Sequence, residues 1–125
     1  MASDFERAFD QLKCVFASHL RQLAISEDTA SVYSVTCRAP SPFPQHKGHP
    51  MWFGSVRMGK AYVSFHLMPL YMNPPLFNAV SPGLKKRMQG KTCFNFKSAP
   101  EPQLLKELRQ LVNAAMKDWA SKRYL

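Results

Sequence analysis

The hydrophobic period of the chain changes twice, and that change dictates its architecture. Near the start Phe5, Phe9, Leu12, Phe16, Leu20 and Leu23 recur at spacings of three and four, with Ala8, Val15 and His19 alongside. That is the pattern of a helix with one apolar face. Ser3 with Glu6 reads as its capping box. Near the end Leu104, Leu105, Leu108, Leu111, Val112, Ala115, Met116 and Trp119 repeat the helical spacing, after a second Ser-x-x-Glu pair at Ser98 and Glu101. Pro100 and Pro102 suit a first turn, where a missing N–H does least harm. Between these ends the period falls to two. "SVYSVTC", "MWFGSVRM", "AYVSFHL" and "KTCFNFK" are rich in β-branched and aromatic residues and alternate in polarity, as strands do.

Punctuation supplies the connections. Gly59-Lys60 predicts a hairpin between the second and third strands. "RAPSPFPQHKGHP" predicts an extended loop, and "NPPLFNAV" and "SPGLKKRM" short helical turns. The expected fold class is α+β, a two-layer sandwich. Its mainly antiparallel sheet has about four or five strands, and the N- and C-terminal helices pack on one face. At 125 residues the chain suits a single domain spanning 1–125.

Charge separates the same three regions. Residues 1–28 and 101–125 together balance, whereas no Asp or Glu stands between Thr29 and Pro100. Arg38, Lys47, Arg57, Lys60, Lys85, Lys86, Arg87, Lys91 and Lys97 therefore supply the net charge of +9. Chemistry based on paired carboxylates has no material there. No apolar run has membrane-spanning length and the N-terminus is acidic where a signal peptide would be basic, so a cytoplasmic protein without a membrane partner is expected. Cys14, Cys37 and Cys93 are too scattered for a disulfide framework or a structural metal, and no cofactor is expected.

If helices cover one sheet face, alternation assigns the other. The inner set would be Trp52, Gly54, Val56 and Met58, then Ala61, Val63, Phe65 and Leu67, then Phe94 and Phe96. The outer set would be Phe53, Ser55 and Arg57, then Tyr62, Ser64 and His66, then Cys93, Asn95 and Lys97. From it Phe53, Arg57, Tyr62, His66, Asn95 and Lys97 form a candidate ligand-binding face, basic and aromatic. An ordinary solvated sheet face has the same pattern.

Lys85, Lys86, Arg87 and Lys91 are the candidate polyanion contacts, although consecutive helical positions fan the first three apart. Gly90-Lys91-Thr92 resembles the close of a phosphate-binding loop. That loop needs a glycine five residues before Gly90, where Lys85 stands, and it runs from strand to helix instead of helix to strand. Gly90 is expected to be a helix C-cap. Cys93 and His66 share the outer face, yet no carboxylate is available to orient the imidazole. His46 and His49 lack a partner ligand.

"MWFGSVRMGKAYVSFHL", "LKKRMQGKTCFNFK" and "LLKELRQLVNAAMKDW" together resemble the bacterial YdhG-like family, over roughly residues 51–119. The resemblance implies a single two-layer α/β domain of unknown function and brings no catalytic motif. It also brings the suggestion of a frataxin-like iron carrier. Iron needs clustered carboxylates, and Asp4, Glu6 and Asp10 are flanked by Arg7 and Lys13, so iron binding is not expected. The expected function is a non-enzymatic binding domain for a small ligand or an acidic protein partner. Nucleic-acid binding is the alternative, and thiol-dependent catalysis ranks third. An edge strand offers a route to a homodimer.

Overall fold

The computed structural model describes residues 3–125. The first helix, α1, runs Asp4–Ala17 and carries the expected capping box. The Ser3 N–H donates to Glu6 Oε1 at 3.4 Å, and the Glu6 N–H to Ser3 Oγ at 3.1 Å. Ala8, Phe9, Leu12, Val15 and Phe16 are its buried face. The helix ends earlier than the apolar spacing suggests, because Leu23 belongs to the core as the first residue of a strand.

Six strands form one open sheet: β1 (Leu23–Asp28), β2 (Val32–Pro40), β3 (Pro50–Met58), β4 (Val63–Leu67), β5 (Met88–Gln89) and β6 (Cys93–Phe96). Their order is β1-β2-β3-β4-β6-β5, and every neighbouring pair is antiparallel. The fold is α+β, with six strands where about four or five were expected; β1 and β5 join the four segments that alternate in the sequence. Gly59 N–H donates to the Tyr62 carbonyl at 2.9 Å and closes the β3–β4 hairpin. Ala61 lies exposed in that turn instead of inside the strand.

Between β4 and β5 the chain makes α2 (Pro69–Met72), a 3-10 stretch Pro74–Ala79 and α3 (Pro82–Lys85). Ser81 caps α3, its Oγ accepting the Leu84 N–H at 3.2 Å. Since α3 stops at Lys85, Lys86 and Arg87 lie in the following turn, and Gly90 does not cap a helix. With φ +77 it opens the Gly90-Lys91-Thr92 turn of the β5–β6 hairpin, a conformation glycine adopts without strain. The final helix, α4 (Pro102–Ser121), has Glu101 at its N-cap without a side-chain bond, so the expected second capping box does not form.

α1 and α4 pack on one face of the sheet and against each other. Phe16 stacks on Phe65 at 4.6 Å and meets Phe53 edge-on at 6.1 Å. Phe53 in turn meets Trp119 of α4 at 5.2 Å, and Phe65 meets Phe94 at 6.4 Å. Each of these rings contributes about 1.5–3 kcal/mol through burial alone.

One irregularity overturns part of the expected alternation. Val35 pairs with Gly54 but Thr36 pairs with Trp52, so Phe53 is the extra residue of a β-bulge. Phe53 and Gly54 consequently both face the helices. Phe53 is fully buried and is no part of the outer face, while Trp52 lies on that face, its ring 6.2 Å from His66. A Cβ on Gly54 would stand 2.5 Å from both Phe16 Cζ and the His66 carbonyl oxygen, so only glycine lets α1 approach this closely.

Candidate ligand-binding face

With both long helices on the inner side, the opposite side of the sheet is surfaced by its own side chains. Thr36, Trp52, Arg57, Tyr62, His66, Cys93, Asn95 and Lys97 are exposed or half-exposed there. Ser55 and Ser64 sit low between them, 2% and 8% exposed.

These side chains form a connected polar network. Ser64 Oγ lies 3.2 Å from His66 Nε2, and Cys93 Sγ lies 3.9 Å from the same nitrogen. The Cys93 thiol donates to Asn95 Oδ1 at 3.3 Å, and Asn95 Nδ2 donates to Gln89 Oε1 at 2.6 Å. Tyr62 Oη donates to that Gln89 oxygen at 3.4 Å. Pairing of His66 with Cys93 and of Gln89 with Cys93 brings three strands into register for this.

Burial, then the positive Arg57 guanidinium, hold the His66 pKa below the ordinary histidine value. Burial pushes the Cys93 thiol up. Both groups therefore stay neutral, the opposite of a thiolate–imidazolium pair. A neutral thiol is instead the donor that orients the Asn95 amide.

The network ends in a cleft of about 380 Å³ between the α3–β5 turn and the end of β6. Lys86, Arg87 and Lys97 line it together with Tyr62, Gln89 and Asn95. Its geometry follows from the hairpin: Asn95 N–H donates to the Arg87 carbonyl at 2.8 Å, and the Arg87 guanidinium lies 5.7 Å from the Phe96 ring centre. Glu101 and Glu107 approach Lys86 and Arg87 from the α4 side. Neither cation forms an ion pair with them, for the ion pairs among the described residues are Lys13–Asp28 and Lys122–Asp118.

The structure thus gathers Tyr62, Asn95, Lys97, Lys86 and Arg87, and separates the remaining candidates. Phe53 is in the core. Arg57 and His66 lie on the same face outside the cleft, Arg57 paired across β3–β4 with Ser64. Lys85 turns to the Phe77 ring at 4.8 Å, and Lys91 lines a different cleft with Tyr71 and Phe77. Gln89 is the residue that alternation missed, because a two-residue strand has no period. Trp52 was misassigned by the bulge. His46 is engaged by Ser41, and among the described residues no three His, Cys, Asp or Glu side chains converge as a metal site. Among the described residues no helix is long and apolar enough to cross a membrane.

No protein-family model, curated protein or solved structure matches the chain.

Proposed function

We propose that the protein is a binding domain whose outer sheet face takes a small ligand through an oxyanion of the phosphate class, held in the Lys86–Arg87–Lys97 cleft. The observation that carries this is the direction of the hydrogen bonds. Gln89 Oε1 is occupied by Asn95 and Tyr62, and Asn95 Oδ1 by Cys93. What these amides leave unpaired is N–H on both and one lone pair on Asn95 Oδ1, and the three neighbouring cations only donate. Donors therefore predominate among the polar side chains of the cleft, with the Tyr62 and Asn95 oxygens as the exceptions. An acceptor-only group with several oxygens matches such a set, and charge-assisted bonds to it are the strong kind. The free thiols, with Cys14 exposed, suit a reducing, cytoplasmic setting.

Calorimetric titration with inorganic pyrophosphate at low salt tests this. Saturable binding is expected, weakened at least about tenfold in Lys86→Ala/Arg87→Ala, the equivalent of losing one or two charged hydrogen bonds. Absence of binding to the wild-type protein contradicts it.

Single-stranded nucleic acid is the second reading, favoured by Trp52. It lies on the same face, about 14 Å across the sheet from Gln89 by three strand spacings and offset along β3 from Ser55, and a base stacked there could share a backbone with a phosphate in the cleft. A labelled oligonucleotide that binds tighter than pyrophosphate and loses affinity in Trp52→Ala would select this reading. Equal binding by wild type and Trp52→Ala would remove it.

A further inference from the structure

A second cleft, of about 330 Å³, lies beyond Trp52, between the Pro-rich 41–49 loop, the start of β3 and α2. Its walls are the thioethers of Met51, Met68 and Met72 and the rings of Phe43, Trp52 and Tyr71. Gln45 and His46 are its polar members, and no carboxylate lines it. The volume falls at the lower end of ordinary small-molecule sites, and thioethers facing aromatic rings suit a flat, polarisable occupant.

The loop wall is built in advance. Phe43 packs 5.6 Å from the His46 ring and 5.5 Å from Tyr124, which ties the loop to the segment after α4. Ser41 N–H donates to the His49 carbonyl at 3.3 Å, closing the loop across Lys47 and Gly48, both at positive φ.

The same closure fixes the chemistry of His46. Ser41 Oγ accepts the Phe43 N–H at 3.1 Å and lies 2.6 Å from His46 Nδ1. That leaves Nε2 as the ring nitrogen open to a ligand. It is a donor in the charged ring and in the neutral tautomer in which Ser41 donates to Nδ1. Tyr71, 62% exposed, leaves one side of the cleft open to solvent, and Lys47 follows His46 in the loop wall.

We infer that this cleft is a separate binding site for a planar aromatic small molecule bearing an anionic acceptor group, a carboxylate or sulfonate. The ring system lies between the methionines and the Trp52 and Tyr71 side chains, and the anionic group accepts from His46 Nε2.

The test uses 1-naphthoate and the tryptophan fluorescence of the full chain. Of the two tryptophans Trp119 is fully buried, so a ligand in the cleft acts on Trp52, and Trp52→Phe assigns the signal. The expected result is a saturable change in wild type, reduced about tenfold in apparent affinity by His46→Phe and clearly weakened by Tyr71→Ala. Cyclohexanecarboxylate, flat nowhere, should bind more weakly than naphthoate. Because Tyr71 is exposed, its alanine variant is expected to fold, and an unchanged melting temperature checks it. No saturable change in wild type, unaltered affinity in Tyr71→Ala, or displacement of naphthoate by saturating pyrophosphate would each overturn the inference. The last would put the anion in the oxyanion cleft.

Discussion

The two faces of one sheet, built by alternate residues of the same strands, obey different rules. The inner face of β3, β4 and β6 presents Phe53, Val56, Val63, Phe65, Phe94 and Phe96, all essentially without solvent contact. The outer face presents Ser64, His66, Cys93 and Asn95, tied side chain to side chain. Inside, stability comes from rings in van der Waals contact, and shape is the constraint. Outside, the half-buried polar groups stabilise little individually, but they are joined in one network. Packing fixes the first face. Hydrogen bonding distinguishes the second, and the Gln89 and Asn95 N–H groups it leaves over are what the proposed oxyanion site rests on.

Substitutions should separate the faces in magnitude. The largest effect is expected for Phe16→Ala, which deletes the ring stacked on Phe65 and edge-on to Phe53. Urea unfolding should show a loss of about 3–5 kcal/mol. Gly54→Ala should cost about 1–3 kcal/mol, because its Cβ enters the space of the Phe16 ring and the His66 carbonyl. Adding Phe16→Leu should restore only part of it, since the carbonyl remains. If Gly54→Ala is neutral, the close approach of α1 to the bulge is wrong.

The outer face should respond to pH more than to truncation. Because the folded pKa of His66 lies below the unfolded value, the unfolded chain binds more protons in the window between them. Stability is therefore expected to be full above about pH 6.5 and to fall as pH drops below it. His19, lowered by burial and then by Arg109, adds in the same direction. His66→Asn should flatten the pH dependence and leave the His19 part; an unchanged slope would show that His66 is not held neutral.

The smallest stability effect is expected for Cys93→Ser, within about 0.5 kcal/mol. Thiol chemistry sharpens that point. Iodoacetamide at neutral pH, followed by mass spectrometry, should modify exposed Cys14 first and Cys93 more slowly than free cysteine. Cys37, buried and pushed up to about 11, should react last. Fast alkylation of Cys93 would contradict the neutral-thiol reading.

How far the molecule was legible from its sequence follows the same division. The two long helices and the strands β2, β3, β4 and β6 were written in hydrophobic period, since burial on one face enforces it. β1 was hidden because Leu20 and Leu23 happen to continue the helical spacing of Phe16. The bulge at Phe53 was hidden because an inserted residue reverses alternation without changing composition, and it exchanged Phe53 with Trp52. The site was half legible. Asn95 followed from alternation within β6, Tyr62 and Lys97 from continuing the alternation one residue past β4 and β6, and Lys86 and Arg87 from charge. Gln89 and the separation of Lys85 and Lys91 depend on where a short helix stops, which no periodicity reports.

The most direct measurement of the proposed oxyanion cleft is a pyrophosphate titration followed by NMR through the side-chain amide signals. Saturable shifts of the Gln89 and Asn95 NH2 groups are expected, with the Lys86–Arg87 and Lys97 backbone signals moving on the same curve and Trp119 unmoved. Pyrophosphate that leaves the Gln89 and Asn95 amides unshifted, or moves them no more than residues of the α1–α4 side, would contradict it.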